Sequence, residues 1–339
     1  MTKKFKKGSA FVATLAVVLS AMVIPRAYAA TEIDATAKCS LDFSLNSEVY
    51  KEMNDLEIVV DLYKVGDVDV VGNYKEVDGF TLGDYKLADV SDKTSAADWE
   101  AMASEAFADI EGKTPITSTV EEGFDNLEVG LYLVVANDTK SDTFAYTFKP
   151  YLISLPNNNY SESNPDDTWV YNLVGENAIG LKPEAADIYG DLVIAKDLLS
   201  YNATVGGATF VFQVEATKDY KAIGGEVEKV YSDVVSISFD AAGKKQVLVE
   251  NIPAGAEVTV TEVYSGGSYA PVDGANRFET VIVADEVVED ELRTETVAAV
   301  TFENEYDDRL NGGSGVVNHF EEGENGWTWT VNPASAEVE

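Results

Sequence analysis

Between Asp191 and Asp308 the chain carries no helical period. Instead seven short segments of β-strand composition follow one another at regular spacing: "LVIAKDL", "TFVFQVEAT", "VVSISFD", "KQVLVENI", "EVTVTEVY", "ETVIVAD" and "VAAVTFENEY". β-Branched and aromatic residues dominate them, and turn residues separate them. Seven such strands in so short a stretch predict an antiparallel β-sandwich, because each half-apolar strand can bury its face only against a second sheet.

Three of these strands break their own alternation. In "GDLVIAKDLLS", Leu192, Ile194, Lys196 and Leu198 share one face, so a lysine stands in register with three aliphatic residues. In "EVTVTEVY", Val258, Val260, Glu262 and Tyr264 share a face, and Glu262 interrupts it. In the last strand Val300, Phe302, Asn304 and Tyr306 share a face, interrupted by Asn304. A lysine desolvated among apolar groups loses its proton more easily and becomes a nucleophilic amine. A carboxyl group in the same dry pocket titrates higher than in water and can pass protons as general acid and base. Attack of the amine on the carboxamide would release ammonia and leave a neutral amide between the two side chains. Two plainer readings stay open from the residues alone. Lys196 at a strand edge could lay its stem on apolar surface with its head in water, or form a buried ion pair with Glu262 and no bond.

The chain before this region reads differently. "MTKKFKK", an apolar stretch and "AYA" over Ala27–Ala29 have the build of a secretory signal peptide over residues 1–29, which predicts export. No later segment is apolar for long enough to span a membrane. From Ala30 to about Ala185 short strands prevail, among them "DLEIVVDLYKV", "VGLYLVVAN" and "KPYLISLP". A single helix interrupts them over "SAADWEAMASEAFADIEGK". Ser95 and Asp98 supply a capping start, Gly112 a stop, and Trp99, Met102, Ala106 and Ile110 recur on one face. "GLKPEAADIYG" reads as a connector. After Asp308 a glycine-rich linker leads into a tail holding the sole histidine, His319, with Trp327 and Trp329. There the sequence leaves a small hairpin and a partner-binding segment equally open.

Composition removes whole classes of function. Without the five basic residues of the leader, 19 basic residues face 60 acidic ones, a surface that repels phosphate backbones and anionic lipid, so nucleic acid is not an expected partner. Cys39 stands alone, so no intrachain disulfide forms, and it reads as a small residue of a first strand. One histidine and one cysteine, in separate regions, leave no Cys–His pair, no His-rich zinc site and no HExxH motif. Glycine-rich phosphate loops are missing too. No cofactor and no enzymatic activity are expected. "DVDVVGN" resembles the start of a calcium loop through Asp67 and Asp69, but Val71 and Asp78 stand where ligands are wanted, and a hairpin turn is the expected structure.

"VIAKDL", "VTVTEVY" and "VTFENEY", in that order, resemble the collagen-adhesin B-type domain of Gram-positive surface proteins and pilins. The preceding region, with "EIVVDLYKVGDVDVVGNYKEVDGF", the helix bearing Trp99, "NLEVGLYLVVAN" and "TWVYNL", is similar to the N-terminal domain of sortase-assembled pilin subunits. The resemblance implies tandem immunoglobulin-like or prealbumin-like β-sandwiches over 30–185 and 186–308, with an inserted helix in the first and a tail over 309–339. It also implies an intramolecular isopeptide bond between Lys196 and Asn304 assisted by Glu262. The implied role is that of a secreted or surface-displayed structural or adhesive protein, partnered by other pilus subunits and a sortase. A secreted carbohydrate- or protein-binding module is the alternative. Two departures stand out. The chain ends in "NPASAEVE" rather than in an LPxTG-like signal. Lys182, in "VYNLVGENAIGLKPE" after Trp169, is only a displaced counterpart of the lysine that pilin backbones use for linkage.

Overall fold

The computed structural model describes residues 13–14, 32–45, 49–91, 93–158, 169–204, 206–288, 291–293, 297–308, 317–323 and 326–332. Of the expected leader only Ala13–Thr14 are among them, so that expectation lies outside the described residues, as does the polar stretch 159–168. The protein is mostly β, and the chain divides into two compact units. One is Val12–Ser141 with Ala145–Ala185; the other is built on Ala186–Glu339 and takes in Asp142–Phe144.

In the first unit β1 (Lys38–Leu41) lies between Asn172–Leu173, which runs parallel to it, and β5 (Phe124–Glu128). A larger antiparallel sheet has the order β7 (Tyr151–Leu155), β6 (Gly130–Ala136), β2 (Val59–Val68), β3 (Tyr74–Glu76), with β4 (Ile116–Thr119) also paired to β2. Helix α1 (Ala96–Ala108) packs over β6 and β7. That cover explains why "GLYLVVA" is apolar throughout rather than alternating, since both faces of β6 are shielded. The expected capping box is present, with the Ser95 hydroxyl accepting from the Asp98 amide and the Asp98 carboxylate accepting from the Ser95 amide. The helix ends at Ala108, and Gly112 sits in the following turn at φ 76°. Met102, Ala103 and Ala106 are buried, whereas Trp99 and Ile110 are half-buried.

Two further expectations meet their structures here. Cys39 is buried in β1, and burial pushes its thiol up to about 11. Asp69 organises the β2–β3 hairpin turn: its carboxylate accepts from the amides of Val71 and Asn73 and from the Asn73 side chain, with Gly72 at φ 84°.

In the second unit two four-stranded sheets face each other. One has the order β11 (Gly243–Pro253), β8 (Tyr189–Leu198), β15 (Ala298–Tyr306), β13 (Tyr269–Pro271). The other has β10 (Val227–Phe239), β9 (Ala208–Asp219), β12 (Glu257–Tyr264), β14 (Arg277–Val281). Their inward residues, among them Leu192, Ile194, Phe210, Phe212, Val258, Val260, Val300 and Phe302, form one core. All strand pairs of these sheets are antiparallel except one: β8 and β15 run parallel, with Ile194 opposite Val300 and Leu198 opposite Asn304. The stretch expected to be a connector holds the boundary between the two units, at Ala185 and Ala186, and includes a short strand, Pro183–Asp187, along which Pro183, Ala185 and Asp187 are buried. In the tail, β16 (Val317–Gly323) and β17 (Gly326–Asn332) form an antiparallel hairpin. The side chains of His319, Trp327 and Trp329 lie outside the described residues.

Gly190 marks a constraint at the start of β8. Its pairing with β11 shifts register between Gly190 and Leu192, and a Cβ there would come within 1.8 Å of the Val283 carbonyl oxygen. The obstacle is backbone and cannot rotate away. Gly190→Ala is therefore expected to destabilise the protein by about 1–3 kcal/mol, seen as a lower midpoint in urea unfolding.

Candidate functional site

Alternation along β8 directs Leu192, Ile194, Lys196 and Leu198 inward, and all four are buried, with Lys196 at 0% exposure. The same parity along β15 buries Val300, Phe302 and Asn304, the last also at 0%. Along β12 it buries Val258, Val260 and Glu262, the glutamate at 3%. Tyr264 departs from the expected face and is 41% exposed. The cause is an irregularity in pairing: Phe212 opposes Glu262 but Val211 opposes Tyr264, so one extra residue in β12 turns the tyrosine to the outer face.

The three polar side chains meet in the middle of the core. Lys196 Nζ donates to Glu262 Oε2 at 2.7 Å and to Asn304 Oδ1. Asn304 Nδ2 donates to Glu262 Oε1 at 2.6 Å. The ring of contacts fixes the carboxamide orientation, since only its oxygen can accept from an ammonium and only its nitrogen can donate to a carboxylate. Each oxygen of Glu262 thus addresses a different nitrogen, one on the lysine and one on the asparagine.

Apolar surroundings keep the cluster dry. The Lys196 ammonium lies 4.5 Å from the ring centroid of Phe210, 5.9 Å from Phe302 and 6.0 Å from Phe212, within the range in which aromatic faces attract a cation. All three rings are fully buried. Phe302 is itself held by Phe212 and Phe278, with centroids 4.9 Å and 4.8 Å away. Burial holds the Lys196 ammonium below the ordinary lysine range, opposed by the hydrogen bond and charge of Glu262 and by the charges of Asp197 and Glu303. In the sequence, the alternation of Phe210 with Phe212 marks their shared face but not the cation beside them.

Lys182 is not part of this cluster. It belongs to the first unit, where its Nζ lies 3.8 Å from a Glu100 carboxylate oxygen and 5.6 Å from the Tyr151 ring centroid, with its side chain 19% exposed. Among the described residues no group of three or more His, Cys, Asp and Glu side chains could hold a metal ion. No helix among them is long and apolar enough to cross a membrane.

A family profile described as "Domain of unknown function (DUF5979)" matches residues 192–307, a span that contains Lys196, Glu262 and Asn304. No curated protein matches the chain. Among solved structures the chain is similar to GBS52, the minor pilin of Streptococcus agalactiae, at 12% identity over 77% of this chain and 87% of that one, with a TM-score of 0.23. It is also similar to the full-length major pilin SpaD of Corynebacterium diphtheriae, at 14% identity over 81% of this chain and 99% of that one, with a TM-score of 0.25.

Removing one member of the cluster is expected to cost more than removing all of it. Glu262→Gln leaves a buried ammonium without its counter-charge, whereas Lys196→Met with Glu262→Leu and Asn304→Leu replaces the set by apolar volume. Chemical denaturation should place the single variant about 3 kcal/mol or more below the triple one.

Proposed function

We propose that the chain is a non-enzymatic, pilin-like structural or adhesive protein of the bacterial surface, whose second unit is locked by a self-formed amide bond between Lys196 and Asn304. The observation that carries this reading is the closed hydrogen-bond ring of Lys196, Glu262 and Asn304 inside an apolar core.

The ring supplies each requirement of the reaction. The Lys196 ammonium gives a proton to Glu262 through Oε2, which leaves a neutral amine and a neutral acid. The amine attacks Asn304 Cγ, so that the Nζ–Cγ bond forms as the Cγ–Nδ2 bond breaks. The second proton lost by Nζ and the proton held by Glu262 account for the conversion of the departing NH₂ to ammonia and the return of the glutamate to an acid. Three hydrogens leave with nitrogen, one stays on the new amide and one on Glu262, and no net charge is created. A buried ion is thereby exchanged for a neutral amide, which relieves the desolvation that burial imposed on the cation.

The topology gives the bond a mechanical meaning. β8 opens the second unit's sandwich, β15 closes it, and they are parallel neighbours. Tension between Tyr189 and Tyr306 would run along β8 to Lys196, cross the bond to Asn304 and leave within two residues. Everything from Asp197 to Glu303 would be spared the load. A surface protein exposed to shear and proteases gains from such a path, and the acidic excess of the chain suits solubility outside the cell. In assembly with other pilus subunits by a sortase, Lys182 is the proposed amine, and it would have to leave Glu100 and Tyr151 to react.

The full chain, measured by intact mass under denaturing conditions, should be lighter than its sequence by at least one ammonia. Lys196→Ala, Glu262→Ala and Asn304→Ala should each abolish that ammonia loss and lower the melting temperature. A wild-type protein that retains the ammonia would overturn the reading.

A further inference from the structure

The second unit buries another lysine. β9 alternates inward through Ala208, Phe210, Phe212, Val214 and Ala216, and Lys218 continues that parity with its side chain 2% exposed. Its Nζ lies 2.7 Å from Asp187 Oδ1, and the aspartate side chain is 1% exposed. The other oxygen of the same carboxylate, Oδ2, accepts from the Tyr220 hydroxyl at 2.7 Å, and Tyr220 is buried as well. Lys218 Nζ also donates to the Thr143 carbonyl at 3.0 Å and stands 3.9 Å over the Phe144 ring and 5.4 Å from that of Tyr220. All of these residues belong to one compact unit.

An amine source, a carboxyl carbon and a proton donor therefore converge where water does not compete. We propose that Lys218 and Asp187 condense to a second intramolecular amide, with Tyr220 handing the proton to the departing oxygen. The ammonium first passes one proton to the carboxylate, which gives a neutral amine and a neutral acid. The amine attacks Asp187 Cγ; the Nζ–Cγ bond forms and the Cγ–Oδ2 bond breaks. Oδ2 leaves as water with two hydrogens handed on in turn by the Tyr220 hydroxyl, which is restored first by a proton from Nζ and then by the one that the first transfer placed on Oδ1, as Oδ1 becomes the amide oxygen. No oxidant or further reactant is needed. The drive is the one that acts at Lys196, since a desolvated ion pair becomes a neutral amide. In this step the aspartate serves as both proton acceptor and electrophile, whereas at Lys196 the carboxylate of Glu262 and the carboxamide of Asn304 are separate groups. The bond would tie the segment leading into β8 to β9 in the opposite sheet.

The two bonds differ in leaving group, so one measurement separates them. Intact mass of the full chain, with its N-terminus assigned by fragmentation, should fall below the sequence mass by one ammonia and one water. A tryptic digest should contain a branched peptide joining the Lys218 and Asp187 segments. Lys218→Arg keeps a cation beside Asp187 but should regain the water while still lacking the ammonia. A wild type short of ammonia alone overturns the second bond, and so does a water loss that survives Lys218→Arg. A wild type short of water alone upholds it and overturns the bond at Lys196.

Discussion

The architecture of the second unit turns on the dry ammonium of Lys196. Placing such an ion in a protein interior costs several kcal/mol even after relaxation. Three sources of attraction offset this: a carboxylate oxygen of Glu262, the carboxamide oxygen of Asn304 and the faces of Phe210, Phe212 and Phe302. They come from β9, β12 and β15 and converge on the lysine of β8, so the set draws on both sheets. A slip of one residue in any of these strands would turn its contribution to the outer face. The cluster therefore acts as a register lock before any covalent chemistry, because only one pairing of the strands leaves none of the three groups stranded. Apolar side chains of similar volume would tolerate neighbouring registers that this set does not.

Much of this was legible in the sequence, because β structure writes its facing into alternate positions. That rule identified Lys196, Glu262 and Asn304 as core residues without knowledge of which strands adjoin. The helix was legible by a different signal, the capping pair Ser95 and Asp98. The failures of the alternation rule have local causes. The parity rule assigned Tyr264 to the core, and an extra residue in β12 turned it outward. The expectation of antiparallel strands missed the parallel pairing of β8 with β15, since alternation is the same for either direction. Asp187 lay in a segment whose proline and glycine suggested a connector, and Lys218 lay one residue past the strand as it was read. Both were invisible as a pair because their attraction spans 31 positions of sequence, a distance over which periodicity carries no information.

The overall charge sharpens the meaning of both lysines. In a chain with 24 basic residues against 60 acidic ones, a cation at the surface is surrounded by opposite charge and gains from staying in water. Among the described residues only Lys196 and Lys218 are buried bases. Each sits beside one carboxylate within the core, with aromatic rings close to its head. Neither arrangement follows from a general shortage of partners, so each position must offer something that an exposed ion pair does not. Exclusion of water is that difference. It strengthens the pairing, and it also lowers the barrier to exchanging a pair of ions for a neutral bond.

The two sites then differ in how protons can move. In the reaction proposed at Lys196 the acid–base group and the electrophile are separate residues: Glu262 contacts both the Lys196 and the Asn304 nitrogen and would not be consumed. In the condensation proposed at Lys218 the carboxylate must first quench its own charge and then be attacked, and the phenol of Tyr220 supplies a further proton within hydrogen-bond reach of the departing oxygen. A relay through a phenol is less favourable than one through a carboxyl group, because a phenol holds its proton more tightly, and burial and the neighbouring Asp187 raise it further here. The chemistry therefore orders the two events. The Lys196–Asn304 bond should close first, once the strands are in register, and the condensation at Asp187 should follow more slowly in a core already held in place.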